Sequence, residues 1–496
     1  MTRLFALLLA SAFGLSMGRA AEKPRPPIRT DEIASPAAPG SIGAALYAAP
    51  DGMAWMTWIE PGAAGSNTLR FATLDAAGKK WSAAQTIASQ RVNASAMDFP
   101  QLAADAAGHA AVVWTDGHGG ALASRTADRG VTWSAPAPVT TESEGVEKFS
   151  VTVLSDQRVL VAWLDARGIK AGGKMTRLYA RILGESGPDV LVDPSVCDCC
   201  QTTLASFLDG GALVAYRART EEEVRDIRVA RFRGHAWDEP RPLSNDDWHI
   251  NACPVNGPRL AADGGRVAAA WFTAADNEPR VLASFSPDAG TRFLMPLRVD
   301  RGHPTGHVET LLLRDGAMLV TWLESDGSYW LRRISPDFTA DEPIALAPAG
   351  AVAAKDFPRS ALVRNYAGGG SPAQFITAYA GAGKRGALHT VLVTVREGEW
   401  LAAAKDCDCA PTPEQLAGFP IRGTIATVDA DRGALHVAHE EIPGVLAAGT
   451  HDFRAASGGL ATLVPGRRFL GRIERRENAW WLYDVRLLVQ PDAAKE

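Results

Sequence analysis

The chain has 496 residues, 46% hydrophobic and 22% charged, with a formal charge of -5. That length exceeds what one ordinary core supports, so a repeat array or two domains is expected. The weak negative charge leaves no electrostatic footprint for nucleic acid or for an anionic lipid surface.

Arg3 precedes an apolar run from Leu4 to Met17 that ends in the small residues Gly18-Arg19-Ala20-Ala21. This pattern predicts a cleaved export signal over residues 1–21, with an apolar segment too short to span a bilayer. No later apolar run reaches the roughly 18 residues a spanning helix needs, so no membrane span is expected. A periplasmic or secreted location is the corresponding expectation. Residues 22–39 hold five prolines and predict a disordered leader.

Beyond residue 40 one unit recurs: an apolar strand, a Gly-marked turn and a second apolar strand that ends in an aromatic. The closing aromatics are Trp58, Trp114, Trp163, Tyr216, Trp271, Trp322 and Tyr379, spaced 49 to 57 residues apart. A period near fifty, with about four short strands per unit, is the pattern of a β-propeller. The first unit is the clearest. Its strands are predicted at Ile42–Ala49, Met53–Ile59, Thr68–Leu74 and Ala84–Ala88, with a turn at Asp51-Gly52. Asp209-Gly210, Asp263-Gly264 and Asp315-Gly316 repeat that turn. The expected fold class is all-β: a seven-bladed propeller over 40–409, with six blades as the rival count, a linker over 410–418 and a small OB-like β-barrel over 419–496.

One segment is more specific. Thr126-Ala127-Asp128-Arg129-Gly130-Val131-Thr132-Trp133 forms an S/T-x-D-x-G-x-T-W box, and Ser286-Pro287-Asp288-Ala289-Gly290-Thr291-Arg292-Phe293 is a degraded copy. The Asp ties down backbone N–H groups, Gly supplies positive φ and the aromatic packs between blades. This Asp-box, or BNR repeat, resembles the sialidase superfamily. In that superfamily the box is a folding device remote from the active centre.

All six cysteines lie beyond the export signal: Cys197, Cys199, Cys200, Cys253, Cys407 and Cys409. On the repeat, each falls just after the outermost strand of its unit, where the chain crosses one face of a propeller to begin the next innermost strand. Cys197, Cys199 and Cys200, then His249 and Cys253, then Cys407 and Cys409 are therefore expected on a common face. Equivalent crossings carry His303, His307, Asp98-Phe99-Pro100 and Asp356-Phe357-Pro358. Thiolates and imidazole gathered at one channel mouth suit copper(I) first and zinc second. Disulfides are the competing expectation in an oxidising compartment. Against them, adjacent cysteines and Cys-x-Cys pairs close small, strained rings. The seventh unit stands apart from the third and fourth, which favours two sites over one.

After the linker the period stops. Short alternating strands follow at Gly423–Val428, Ala434–His439, Arg472-Ile473 and Trp480–Leu488. The stretches Gly423–Asp429 and Leu435–Gly444, the latter containing His439-Glu440-Glu441-Ile442-Pro443, resemble the small periplasmic copper/silver-binding domain of Cus-type efflux systems. That resemblance implies an OB-like barrel and a copper site at a His followed by a Met-Thr-Met-x-Phe motif. Here His439 stands at the His, Thr450 at the Thr and Phe453 at the Phe. The two methionine positions are Gly449 and His451. A His439/His451 pair would hold copper less selectively than the family's ligand set. His436, an odd number of residues from His439, falls on the opposite face of a strand.

These features point first to an exported copper-binding or copper-delivery protein, partnered by a periplasmic copper-handling or oxidase-assembly protein, with no catalytic residue assigned. A sialidase-type glycosidase is the alternative, and it needs three arginines, a Tyr nucleophile and an Asp acid. Arg25-Pro26-Pro27-Ile28-Arg29 does not match the superfamily's Arg-Ile-Pro motif, and nothing in the sequence groups Arg217, Arg225 and Tyr366. A disulfide-braced docking scaffold is the third reading.

Overall fold

The computed structural model describes residues 27–49, 52–75, 79–141, 145–313, 315–364, 372–383, 386–395, 419–429, 434–442, 445–455, 464–476 and 479–487. Cys407, Cys409, the linker expected over 410–418, Tyr366 and the export signal expected over 1–21 lie outside them. Among the described residues the chain forms seven four-stranded antiparallel sheets and one closed five-stranded barrel. Among the described residues no helix is long and apolar enough to cross a membrane.

Six of the sheets follow chain order, as in Ile42–Ala48, Ala54–Glu60, Thr68–Thr73 and Gln85–Ala88. The first strand of each sheet touches the first strand of the next, and the cycle closes from Arg359–Arg364 back to Ile42–Ala48. Second strands such as Ala110–Thr115, Ala212–Arg217 and Met318–Glu324 are buried at every residue. Sheets packed on both faces require that, which is why these stretches read as continuous apolar runs.

The last sheet departs from expectation. Its first three strands are Arg359–Arg364, Ala373–Ala380 and Leu388–Val395, but its fourth is Ile28–Ile33 from the N-terminus. Ile28 pairs with Val395 and Ile33 with Thr390. The disordered leader expected over 22–39 is thus corrected over these six residues. The five prolines behind that expectation all fall outside Ile28–Ile33, and an outermost strand exposes one edge that tolerates Arg29, Asp31 and Glu32. Only Ile28 and Ile33 are buried. The two ends of the repeat are stitched together by this pairing.

The recurring aromatics are core posts with satisfied polar ends. Trp58, Trp114, Trp163, Tyr216, Trp271 and Trp322 are at most 1% exposed. The indole N–H of Trp163 donates to Asp165 at 3.0 Å, that of Trp322 to Glu324 at 2.8 Å and that of Trp58 to Glu60 at 3.2 Å. An acid two residues after the Trp therefore satisfies a donor that burial would otherwise leave unpaired.

The Asp-box closes as its sequence implies. Asp128 accepts the Thr132 N–H at 2.8 Å and the Thr126 hydroxyl at 2.7 Å. These hydrogen bonds, the Thr132 hydroxyl foremost, hold its carboxyl down at about 2. Gly130 adopts φ +82°, and a Cβ there would stand 2.2 Å from Phe71 Cε1. Phe71 cannot yield, because it is wedged between Trp55 and Trp133 at centroid distances of 5.2 Å each. Gly130→Ala is expected to lower unfolding stability by about 1–3 kcal/mol from overpacking, with backbone strain added. An unchanged denaturation midpoint would show that the box is not a packing joint.

Phe419–Asp429, Ala434–His439, Gly449–Ala455, Arg468–Arg476 and Ala479–Leu487 close the C-terminal barrel. The long first strand makes closure possible by pairing with both the second and the fourth. Ile421, Ile425, Leu435, Val437, Phe453, Phe469, Ile473 and Leu482 fill it.

Candidate metal centre

The third sheet ends at Val196 and the fourth begins at Thr203, so Cys197, Cys199 and Cys200 sit in the crossing between them. Both ends of that crossing are pinned. The Cys197 N–H donates to the Arg217 carbonyl at 3.0 Å. At the other end the Thr202 hydroxyl donates to the Lys148 carbonyl at 2.9 Å. A short turn fixed at both ends folds its three side chains inward.

The three sulfurs form a compact triangle. Cys197 Sγ lies 3.6 Å from Cys199 Sγ and 3.5 Å from Cys200 Sγ, and the third edge is 4.0 Å. All four described cysteines are free thiols. The centre of such a triangle lies about 2.1 Å from each sulfur, close to the metal–thiolate bond length of about 2.3 Å. Cys197 and Cys200 are buried and Cys199 is half-buried. Arg225 Nη1 donates to Cys197 Sγ at 3.2 Å while its Nη2 holds Glu223 Oε2 at 2.8 Å. The hydrogen bonds of Cys197 with Cys199, then with Cys200, hold it well below the usual thiol range. Cys199 and Cys200 are correspondingly raised, Cys199 chiefly by the Cys197 interaction and Cys200 chiefly by burial.

Cys253 arrives from the next crossing. That segment packs backbone to backbone on the first, since a Cβ on Gly257 would stand 2.0 Å from the Gln201 carbonyl oxygen. Cys253 is exposed, with its sulfur 3.8 Å from Asp198 Oδ1. Ligand atoms of Asp198, Cys199 and Cys253 all lie within 4.8 Å of one another, as do those of Cys197, Cys199 and Cys200.

His249 belongs to neither group, which corrects the expectation that put it with the thiols. Its Nδ1 lies 3.2 Å from the Asp247 carbonyl oxygen and 3.8 Å from Asp247 Oδ1. Val224 bridges to His249 beside the fourth sheet, and the ring's polar contacts are with Asp247. His307, expected in a crossing, instead lies within the strand Pro304–Leu312 at a register shift; it stacks on Phe357 with centroids 4.1 Å apart, and its Nδ1 meets the Asp356 carbonyl at 2.6 Å. Burial pushes this imidazole down to about 4. With Phe99 and Phe357 packed on Ala45, the equivalent crossings converge on one end of the ring.

In the barrel, His439 and His451 meet diagonally across two antiparallel strands, in which Val437 faces His451 and His439 faces Gly449. His439 Nε2 lies 2.8 Å from His451 Nδ1, and His439 Nδ1 lies 2.6 Å from the Glu440 carbonyl oxygen. A carbonyl only accepts, so His439 carries its proton on Nδ1 and presents the Nε2 lone pair. Burial lowers the His439 imidazole further into the neutral form. Ion binding here requires His451 to move its proton off Nδ1. His436 is exposed and pairs with Asp452 instead.

The first strands of all seven sheets line a central cavity of about 300 Å³. Arg259, Glu309 and Arg359 stand in its wall, a group that sequence reading missed because no motif links them. Arg359 Nη2 lies 3.1 Å and Arg259 Nε 3.9 Å from the Glu309 carboxylate. Burial pushes Glu309 up to about 7, against the pull of Arg259. Arg217 and Arg225 do not line this cavity. Arg217 spends its guanidinium on the carbonyls of Asn256, Arg225 and Phe272.

No protein-family model matches the chain, and no curated protein matches it in sequence. Among solved structures, a lectin from Burkholderia pseudomallei is 13% identical, with a TM-score of 0.54 over 73% of this chain and 97% of that one. A fungal alcohol oxidase solved with copper is 12% identical, with a TM-score of 0.48 over 93% and 99%. An α-L-arabinanase from Penicillium chrysogenum is 10% identical, with a TM-score of 0.42 over 75% and 98%. At this identity the lectin likeness shows the β-propeller fold and nothing of what the chain binds.

Proposed function

We propose that this is an exported copper-binding protein whose propeller holds Cu(I) on Cys197, Cys199 and Cys200. The observation that carries the reading is the sulfur triangle, with free thiols spaced as a three-coordinate thiolate site needs. Among the described residues no fourth thiol or imidazole joins the triangle at the same range, and three soft ligands suit Cu(I) better than zinc, which favours four. We read the repeated sheets as a seven-bladed propeller and the barrel as an OB-like copper domain, with His439 and His451 as its weakened site. Delivery to a copper-handling or oxidase-assembly partner in the periplasm fits the export signal. The glycosidase reading loses support, because Arg217 is committed to carbonyls and Arg225 to Cys197 and Glu223.

The test is metal analysis and X-ray absorption on full-length protein purified without oxygen and supplied with Cu(I). The expected result is at least one copper per chain in a sulfur-only first shell. A protein that binds no copper while its thiols remain reduced would overturn the proposal.

A further inference from the structure

Building on the thiolate reading above, we infer a second, outer copper position made by Asp198, Cys199 and Cys253, with Cys199 bridging it to the buried triangle. Two groups of ligand atoms share that one sulfur: Cys197, Cys199 and Cys200, and Asp198, Cys199 and Cys253, each within 4.8 Å. A thiolate sulfur has lone pairs for two metal ions, whereas an imidazole nitrogen has one. The shared residue is therefore of the type that can bridge.

Exposure gives the pair a direction. Cys253 is exposed, Asp198 and Cys199 are half-buried, and Cys197 and Cys200 are closed off from solvent. An ion arriving from water meets Cys253 and the Asp198 carboxylate first. It then exchanges onto Cys199, and through it onto the inner pair, one ligand at a time. Each thiol that binds gives its proton to water, and copper stays Cu(I) throughout, so no oxidant or reductant is needed. Arg225 holds the geometry of both halves, with its Nη1 3.2 Å from Cys197 Sγ and 3.8 Å from Asp198 Oδ1. The same cation offsets the negative charge that several thiolates and a carboxylate bring together.

The experiment is an anaerobic Cu(I) titration of the full chain against a chromophoric chelator. The background carries Cys407→Ser, Cys409→Ser, His439→Ala and His451→Ala, so that only the propeller crossing counts. Two copper ions per chain are expected, with a copper–copper shell in X-ray absorption. Cys253→Ser is expected to bind one ion without that shell, and Cys199→Ser to lose both. Cys253 is exposed, so its variant tests the site without threatening the fold. A background protein that binds one ion, unchanged by Cys253→Ser, would overturn the outer position and leave the triangle standing. One that binds none removes the triangle as well.

Discussion

Cys200→Ser is expected to lower the affinity of the propeller for Cu(I) by two to three decades. A complete structural site of four ligands is worth about 10–16 kcal/mol, so each ligand carries roughly 2.5–4 kcal/mol. Cys200 is the informative choice because it is 1% exposed and makes two of the triangle's three edges, at 3.5 and 4.0 Å. Ser is nearly the same size, so the crossing keeps its anchors at Cys197 and Thr202 while the soft ligand is lost. Chelator competition measures the affinity, and thermal unfolding of the metal-free protein checks that the fold is retained. Equal affinity in wild type and variant would mean that copper, if bound, sits elsewhere. A structural thiol would instead show its loss in the metal-free melting temperature.

The fold was legible wherever burial is two-sided. Runs such as Ala110–Thr115 and Met318–Glu324 reveal themselves because every residue is buried and nearly all are apolar. The strand Ile28–Ile33 was not legible, since an outer strand with two buried residues reads like a polar leader. Its partner, Leu388–Val395, is distant in sequence, and no local pattern encodes a pairing across the whole chain. The four described thiols could be placed on one face from topology, because successive crossings return to the same end of a ring. Which way each side chain points in a crossing is decided by anchors such as Cys197 N–H to Arg217 and Arg225 to Cys197. That is why His249, four residues from Cys253, turns to Asp247 instead. The Arg259–Glu309–Arg359 group lay hidden for the same reason, its members coming from three different first strands.

Arg422→Met should loosen the barrel from the propeller and produce the largest stability change outside the sheets themselves. Arg422 reaches from the barrel's first strand to Asp247 and lies 3.4 Å from Asp226 Oδ2, and Arg468 holds Asp247 at 2.8 Å. Asp226 is buried and sits near Asp246, so burial first and that neighbour second raise its carboxyl, while Arg422 pulls it back down. Removing the arginine takes the ion-pair partner from buried Asp226 and leaves Asp247 with Arg468 alone, and losing one partner of a buried pair costs about 3–5 kcal/mol. Arg468 compensates little, because it is 42% exposed and screened by water. The pH dependence has a definite sign. A carboxyl whose folded value lies above the unfolded value of about 3.9 takes up its proton first in the folded state. Stability therefore falls as pH rises from there through the raised folded value. Without Arg422 that value rises further, so the variant's deficit should be large at pH 8 and smaller at pH 5. Adding Asp226→Asn should recover part of the loss at pH 8, by removing the charge that has no partner. Differential scanning calorimetry at both pH values, with limited proteolysis to detect a released barrel, reads the result. A variant indistinguishable from wild type at pH 8 would mean that these contacts do not hold the two units together.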